Sequence, residues 1–227
     1  MTKKIQNQEE IVVAEAVSKT EQFFEKNGKK CLIALVALLV VVAAGYAYKY
    51  LVMDKNEVLA SELIIEAQER FSGETPNYDL ALNGDEAGAG FLTVADEYGS
   101  TKAGNLAKHY AGICYLHLGD LENAAKYLAK YKAVKGAAAE VVNAQNIGLQ
   151  GDVAVEQGDY EKAAKLFAKA VKSSDNNYTA PHYLYKQALA LVAAGKAAEA
   201  KACYKAISEK YPNSIEARDA EKALGSL

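Results

Sequence analysis

The chain has 227 residues, 26 Lys and Arg against 29 Asp and Glu, a formal net charge of −3, three prolines and no tryptophan. No block of Lys or Arg follows residue 55, which excludes the concentrated basic footprint that nucleic-acid binding needs. Abundant Ala, Lys, Glu and Leu with so little proline points to an all-α chain, and three widely spaced cysteines do not describe a disulfide framework.

Residues 5–27 alternate apolar and charged positions with helical period. Val13, Val17, Thr20 and Phe24 recur at steps of three and four, beside Val12, Ala16 and Phe23. Two readings stay open: an amphipathic helix lying on a membrane or docking on a partner, and a solvated helix leading into the next segment. Asn27-Gly28 is expected to break or bend the chain.

Cys31 to Tyr48 holds 18 consecutive residues without a charge. As a helix it spans about 27 Å, close to the hydrocarbon thickness of a bilayer. Lys49 can snorkel, which extends the expected span to Val52, and Tyr46, Tyr48 and Tyr50 suit the headgroup layer. A buried core helix is the alternative, but nothing else in the chain is apolar enough to wrap it. The run is longer than a signal peptide's and follows thirty residues, so an uncleaved anchor in the lipid bilayer is expected. Lys19, Lys26, Lys29 and Lys30 precede it, against Lys49 and Lys55 after it. The positive-inside rule then places 1–30 in the cytoplasm, 31–52 in the membrane and 53–227 beyond it.

Lys55 to Phe71 continues with Val58, Leu59, Leu63, Ile64 and Ala67 at helical spacing, until Ser72-Gly73-Glu74-Thr75-Pro76 ends the helix. A loop is expected to about Gly90, then a short helix over Phe91 to Tyr98. From there the chain repeats itself. The segments beginning at Gly112, Gly151 and Ala188 align, with Gly119, Gly158 and Gly195 at one shared turn, 39 and 37 residues apart. Alanine follows each glycine by five (Ala124, Ala163, Ala200), and a large apolar residue comes four later (Leu128, Phe167, Tyr204). Glycine allows the left-handed turn that reverses one helix into the next. Alanine permits close helix approach, and the large residue fills the groove behind it.

This pattern resembles the tetratricopeptide repeat over about 105–212. Gly112, Tyr115 and Gly151 match its first-helix positions. Tyr160, Ala163, Phe167 and Ala170 match the second helix, and Pro212 matches the terminal proline. The first-helix tryptophan is absent, Ala154 and Leu191 replace the tyrosine, and the extra residues are expected in turns after Tyr131 and Lys172. DEYGSTKAGNLA (96–107) echoes EKYPNSIEARDA (209–220). The first of these implies a degenerate repeat built from helices near 55–71 and 91–98. The second implies a C-terminal capping helix over 214–224, with Asn213 as N-cap and Glu216 three residues on. The fold class expected is an all-α tetratricopeptide-repeat solenoid behind one N-terminal transmembrane helix.

No catalytic constellation stands out, and no cofactor or metal is expected. Cys114 and His117, three residues apart, lack a second pair to complete a metal site and an orienting acid for a nucleophile. Cys114 and Cys203 read as small buried packing residues. In the repeats it resembles, first helices line a concave binding face. That resemblance places Leu106, His109, Ile113, Leu116 and His117 there, then Gln145, Asp152, Val155 and Glu156, then His182, Tyr185, Leu189 and Val192. The other reading of these residues is packing between repeats. The clamp of Lys, Arg and Asn that grips peptide carboxylates in some members is missing, so a mixed groove for extended or unfolded segments is expected.

The whole layout, with KNGKK (26–30), FLTVADEYGSTKAGNLAKHYAG (91–112) and EKYPNS (209–214), resembles the ancillary subunit of the bacterial Sec translocon in its Bacteroidota-like version. The resemblance implies an inner-membrane, non-enzymatic, chaperone-like adaptor with its repeat domain in the periplasm. It implies as partners the Sec translocon channel subunits, a membrane-anchored peptidyl-prolyl isomerase-type chaperone and emerging secretory polypeptides. A general inner-membrane scaffold for another cell-envelope complex is the alternative.

Overall fold

Helical propensity sets most of the chain. The computed structural model describes residues 2–227, and side chains other than those of residues 1–20, Gln22, Phe24 and Ala138. Two compact units divide it, Met1–Lys55 and Asn56–Leu227.

In the first unit, α1 (Thr2–Tyr48) is followed by a π-helical turn (Lys49–Met53) that the Asp54 amide closes on the Lys49 carbonyl. The expected break at Asn27-Gly28 does not occur. The Asn27 side chain donates to the Phe23 carbonyl at 3.2 Å and nothing crowds Gly28, so the cost is only the ~1 kcal/mol of glycine's helix propensity. The amphipathic face proposed for 5–27 lies outside the described side chains apart from Phe23, which is exposed. The apolar run is bare, with Ile33 and Val41 each 68% exposed. Its most apolar window is 0% buried, whereas a soluble core helix would be covered. Among the described residues this is the one helix long and apolar enough to cross a membrane.

The second unit starts within α2 (Asp54–Ser72), which buries Ala60, Ile64 and Ala67. The stretch expected as a loop is ordered instead. It forms α3 (Tyr78–Asn83), capped by Asn77, and a two-residue-per-strand hairpin, β1 (Gly84–Asp85) with β2 (Gly88–Ala89), in register Gly84 to Ala89. Arg70 pins this hairpin: its guanidinium donates to the Gly88 carbonyl at 3.1 Å and to Asp85 Oδ1 at 2.8 Å. Then come α4 (Phe91–Glu97) and α5 (Lys102–His117), whose first turn is capped by Thr101 and by Glu57 of α2.

The remaining helices are α6 (Leu121–Lys130), α7 (Ala137–Glu156), α8 (Tyr160–Ser173), α9 (Thr179–Ala193), α10 (Ala197–Lys210) and α11 (Ile215–Ser226). They pack in sequential antiparallel-type pairs, and α5 touches α7, α7 touches α9, and α9 touches α11. The repeated glycines turn the chain as their pattern required, with φ of +80° at Gly119 and +75° at Gly158 and Gly195. Ala124, Ala163 and Ala200 are fully buried, and Leu128, Phe167 and Tyr204 lie at 0%, 1% and 2% exposure behind them. The inserted residues fall between α6 and α7 and between α8 and α9, as expected. At the last helix the N-cap is Ser214 rather than Asn213, and Glu216 reaches His182 instead of closing a capping box.

Candidate functional site

The first helices of the repeats, α5, α7 and α9, carry every residue expected on the binding face, and the packing between them sorts these residues into two sets. His109 (2% exposed) and Ile113 (7%) are buried between helices. Leu106, Leu116, Asp152, Val155 and Tyr185 are partly buried, while His117, Gln145, Glu156, His182, Leu189 and Val192 are exposed.

All three histidines take part in contacts between helices that do not follow one another in the chain. The Asn146 amide on α7 lies 3.2 Å from His109 Nδ1 on α5. His117 stacks flat on Tyr78 of α3 at 4.0 Å, and His182 Nδ1 lies 3.5 Å from Glu216 of α11. Desolvation lowers the His109 pKa to about 4, against a smaller opposing hydrogen bond to Gln145. The neutral ring with Nδ1 as acceptor is therefore the form that fits the Asn146 donor.

One further link joins α7 to α9. Lys186 Nζ donates to both carboxylate oxygens of Asp152 at 2.9 Å, a pair that balances its own charge in the lining of a crevice. The crevice has a volume of about 230 Å³ and is lined by Asp152, Val155, Tyr160, Phe167, Lys186, Leu189, Ala190 and Ala193. Leu189 and Val192 stand beside it at 48% and 40% exposure. A second cavity, about 370 Å³ and more polar, lies between the α8–α9 and α10–α11 turns, with Tyr178, His182, Ser214 and Glu216 among its walls.

Asp152, Val155 and Leu189 are thus brought together, and His109 and Ile113 are drawn into the core. The sequence reading missed Lys186, Ala190 and Ala193. Their signal was present as departures from the preceding repeat, where the same positions hold Leu149, Val153 and Glu156. Cys114 is fully buried, and desolvation raises its thiol pKa to about 12; Cys203 is buried in a different apolar cluster, and both are free. An inert thiol of this kind is a packing group. Among the described residues no three His, Cys, Asp or Glu side chains converge as metal ligands.

Residues 149–215 match the family model described as tetratricopeptide repeat. No curated protein matches the chain. With the helix pairs above, the match makes the fold an all-α tetratricopeptide-type solenoid, an architecture that generally serves as a non-enzymatic scaffold for protein–protein contact.

Proposed function

We propose that this protein is a membrane-anchored adaptor of the Sec translocon that holds emerging polypeptides on the periplasmic side. The observation that carries the reading is a first-helix face with exposed Leu189 and Val192 beside a self-neutralised ion pair, in a chain that also bears a bare apolar helix. Such a face suits uncharged, extended segments, and the charge balance of the flanks favours residues 1–30 in the cytoplasm and 53–227 in the periplasm. The partners in this reading are the channel subunits, an anchored peptidyl-prolyl isomerase-type chaperone and secretory polypeptides in transit. Support for the translocon comes from the sequence layout and the quoted segments.

Purification of the native protein from its membranes in mild detergent, with mass spectrometry of what accompanies it, tests this. Channel subunits and the isomerase in comparable amounts are the expected result. A different envelope assembly without the channel would replace this reading with that of a general scaffold.

A further inference from the structure

The stacked repeats provide an internal control for the crevice between α7, α8 and α9. Shifting its α7 and α8 residues back by the 39-residue period, and its α9 residues by the 37-residue period, lands on the junction one repeat earlier. There Val155, Tyr160, Phe167, Lys186 and Ala190 correspond to Leu116, Leu121, Leu128, Leu149 and Val153. Those five residues belong to one apolar cluster, with Leu128 0% and Val153 2% exposed and Leu116, Leu121 and Leu149 half-buried. The same junction is lined by aliphatic side chains in one repeat, and in the next by an aromatic wall and an ion pair around a crevice. Leu116 and Glu156 become the smaller Val155 and Ala193, while Leu121 and Leu128 become the larger Tyr160 and Phe167. Val153 becomes Ala190, which removes two carbons. Leu149 becomes Lys186, whose ammonium pairs with Asp152 and lies 5.8 Å from the centre of the Phe167 ring.

We infer that this crevice is a specificity pocket for a single branched aliphatic side chain of a bound polypeptide, an inference that rests on the polypeptide-binding reading above. Three observations select that occupant. The volume of about 230 Å³ falls below the usual size of a small-molecule site and suits one side chain. Phe167, Ala190, Ala193 and Val155 offer an apolar wall. The Asp152–Lys186 pair in the lining leaves no net charge, so a charged guest gains no partner and loses its hydration. The adjoining exposed Leu189 and Val192 continue the same surface for the residues on either side of the guest.

The test uses the full chain in lipid nanodiscs and fluorescein-labelled Gly-Ser peptides with one central guest, Ala, Leu, Lys or Glu, read by anisotropy. A reduced, carboxymethylated and hence unfolded model protein serves as a second probe. The Leu guest is expected to bind at least about tenfold tighter than the Ala guest, and the charged guests no better than Ala. Ala190→Val, which restores the residue of the neighbouring repeat, is expected to keep or raise the melting temperature and to erase the Leu preference. A flat guest series in the native chain would overturn the pocket. So would a Leu preference that survives in Ala190→Val, or a fall of several degrees in that variant's melting temperature. If the unfolded protein binds and the guest series is flat, the pocket fails alone. If neither probe binds, the polypeptide-binding reading fails with it.

Discussion

His109 sits between α5 and α7 with its Nδ1 facing the Asn146 amide, whose oxygen in turn accepts from Gln150 at 2.9 Å. A proton added to Nδ1 would confront a donor already committed to a network. The ordinary pKa of 6.5 falls to about 4 in the fold. The unfolded chain thus takes up this proton at a higher pH than the folded one does, and protons favour unfolding in between. Stability is complete above pH 6.5 and declines by about 3 kcal/mol as the pH falls to 4. Thermal melts followed by near-ultraviolet circular dichroism should show this slope in the native chain and a flatter one in His109→Gln. Gly112 makes a second prediction at this scale. A Cβ there would meet Leu128 Cγ at 2.5 Å, and one at Gly151 would meet the Phe167 ring at 2.7 Å. Gly112→Ala should cost about 1–3 kcal/mol by overpacking, read from the same melts. The third repeat shows what the position tolerates, since Ala188 already occupies it and is fully buried.

At the scale of the helix, the second helices of two repeats begin on an aspartate and that of the third does not. Asp120 accepts from the Asn123 amide at 3.0 Å and Asp159 from the Lys162 amide at 3.1 Å, while Lys196 supplies no side-chain cap. Asp120→Ala and Asp159→Ala should each remove about 1 kcal/mol, a fall of some 2–4 °C in melting temperature, and Lys196→Ala should change it little. Lys196 loses only an exposed pair with Glu161, of the sort worth little. Much of this was legible in the sequence because glycine, alanine and the large residue recur at constant spacing around each turn. The last helix shows where reading by motif alone went astray. Asn213 followed by Glu216 looks like a capping box, yet the echo between 96–107 and 209–220 aligns Ser214 with Thr101, and both amides donate to the carbonyl of the preceding tyrosine at 2.9 Å. The hairpin at 84–89 was not legible. Its two-residue strands carry no alternation to detect, and they are held by Arg70 from a distant helix. The binding face was half legible for a related reason. Helical spacing names the residues on a first helix, but which of them the next helix covers, as α7 covers His109, depends on packing that no local pattern encodes.

For the whole molecule, the bare run from Leu32 to Val42 and the repeat unit have to act together if the protein is an anchored adaptor. An apolar helix this exposed is expected to resist alkaline carbonate extraction from membranes, whereas residues 56–227 expressed alone should stay soluble. The repeat unit offers two contrasting surfaces. One is the first-helix face around Leu189, and the other is the outer row of Lys162, Lys165, Lys169 and Lys172 on α8, all exposed and, among the described residues, none in an ion pair. That row is the solvated side of an amphipathic helix. The most direct measurement places a photo-crosslinking amino acid at Leu189 and, separately, at Lys169, in the full chain in its native membrane. The account predicts adducts with translocating polypeptides from position 189 and few from 169. Adducts equal at both positions, or confined to 169, would contradict it.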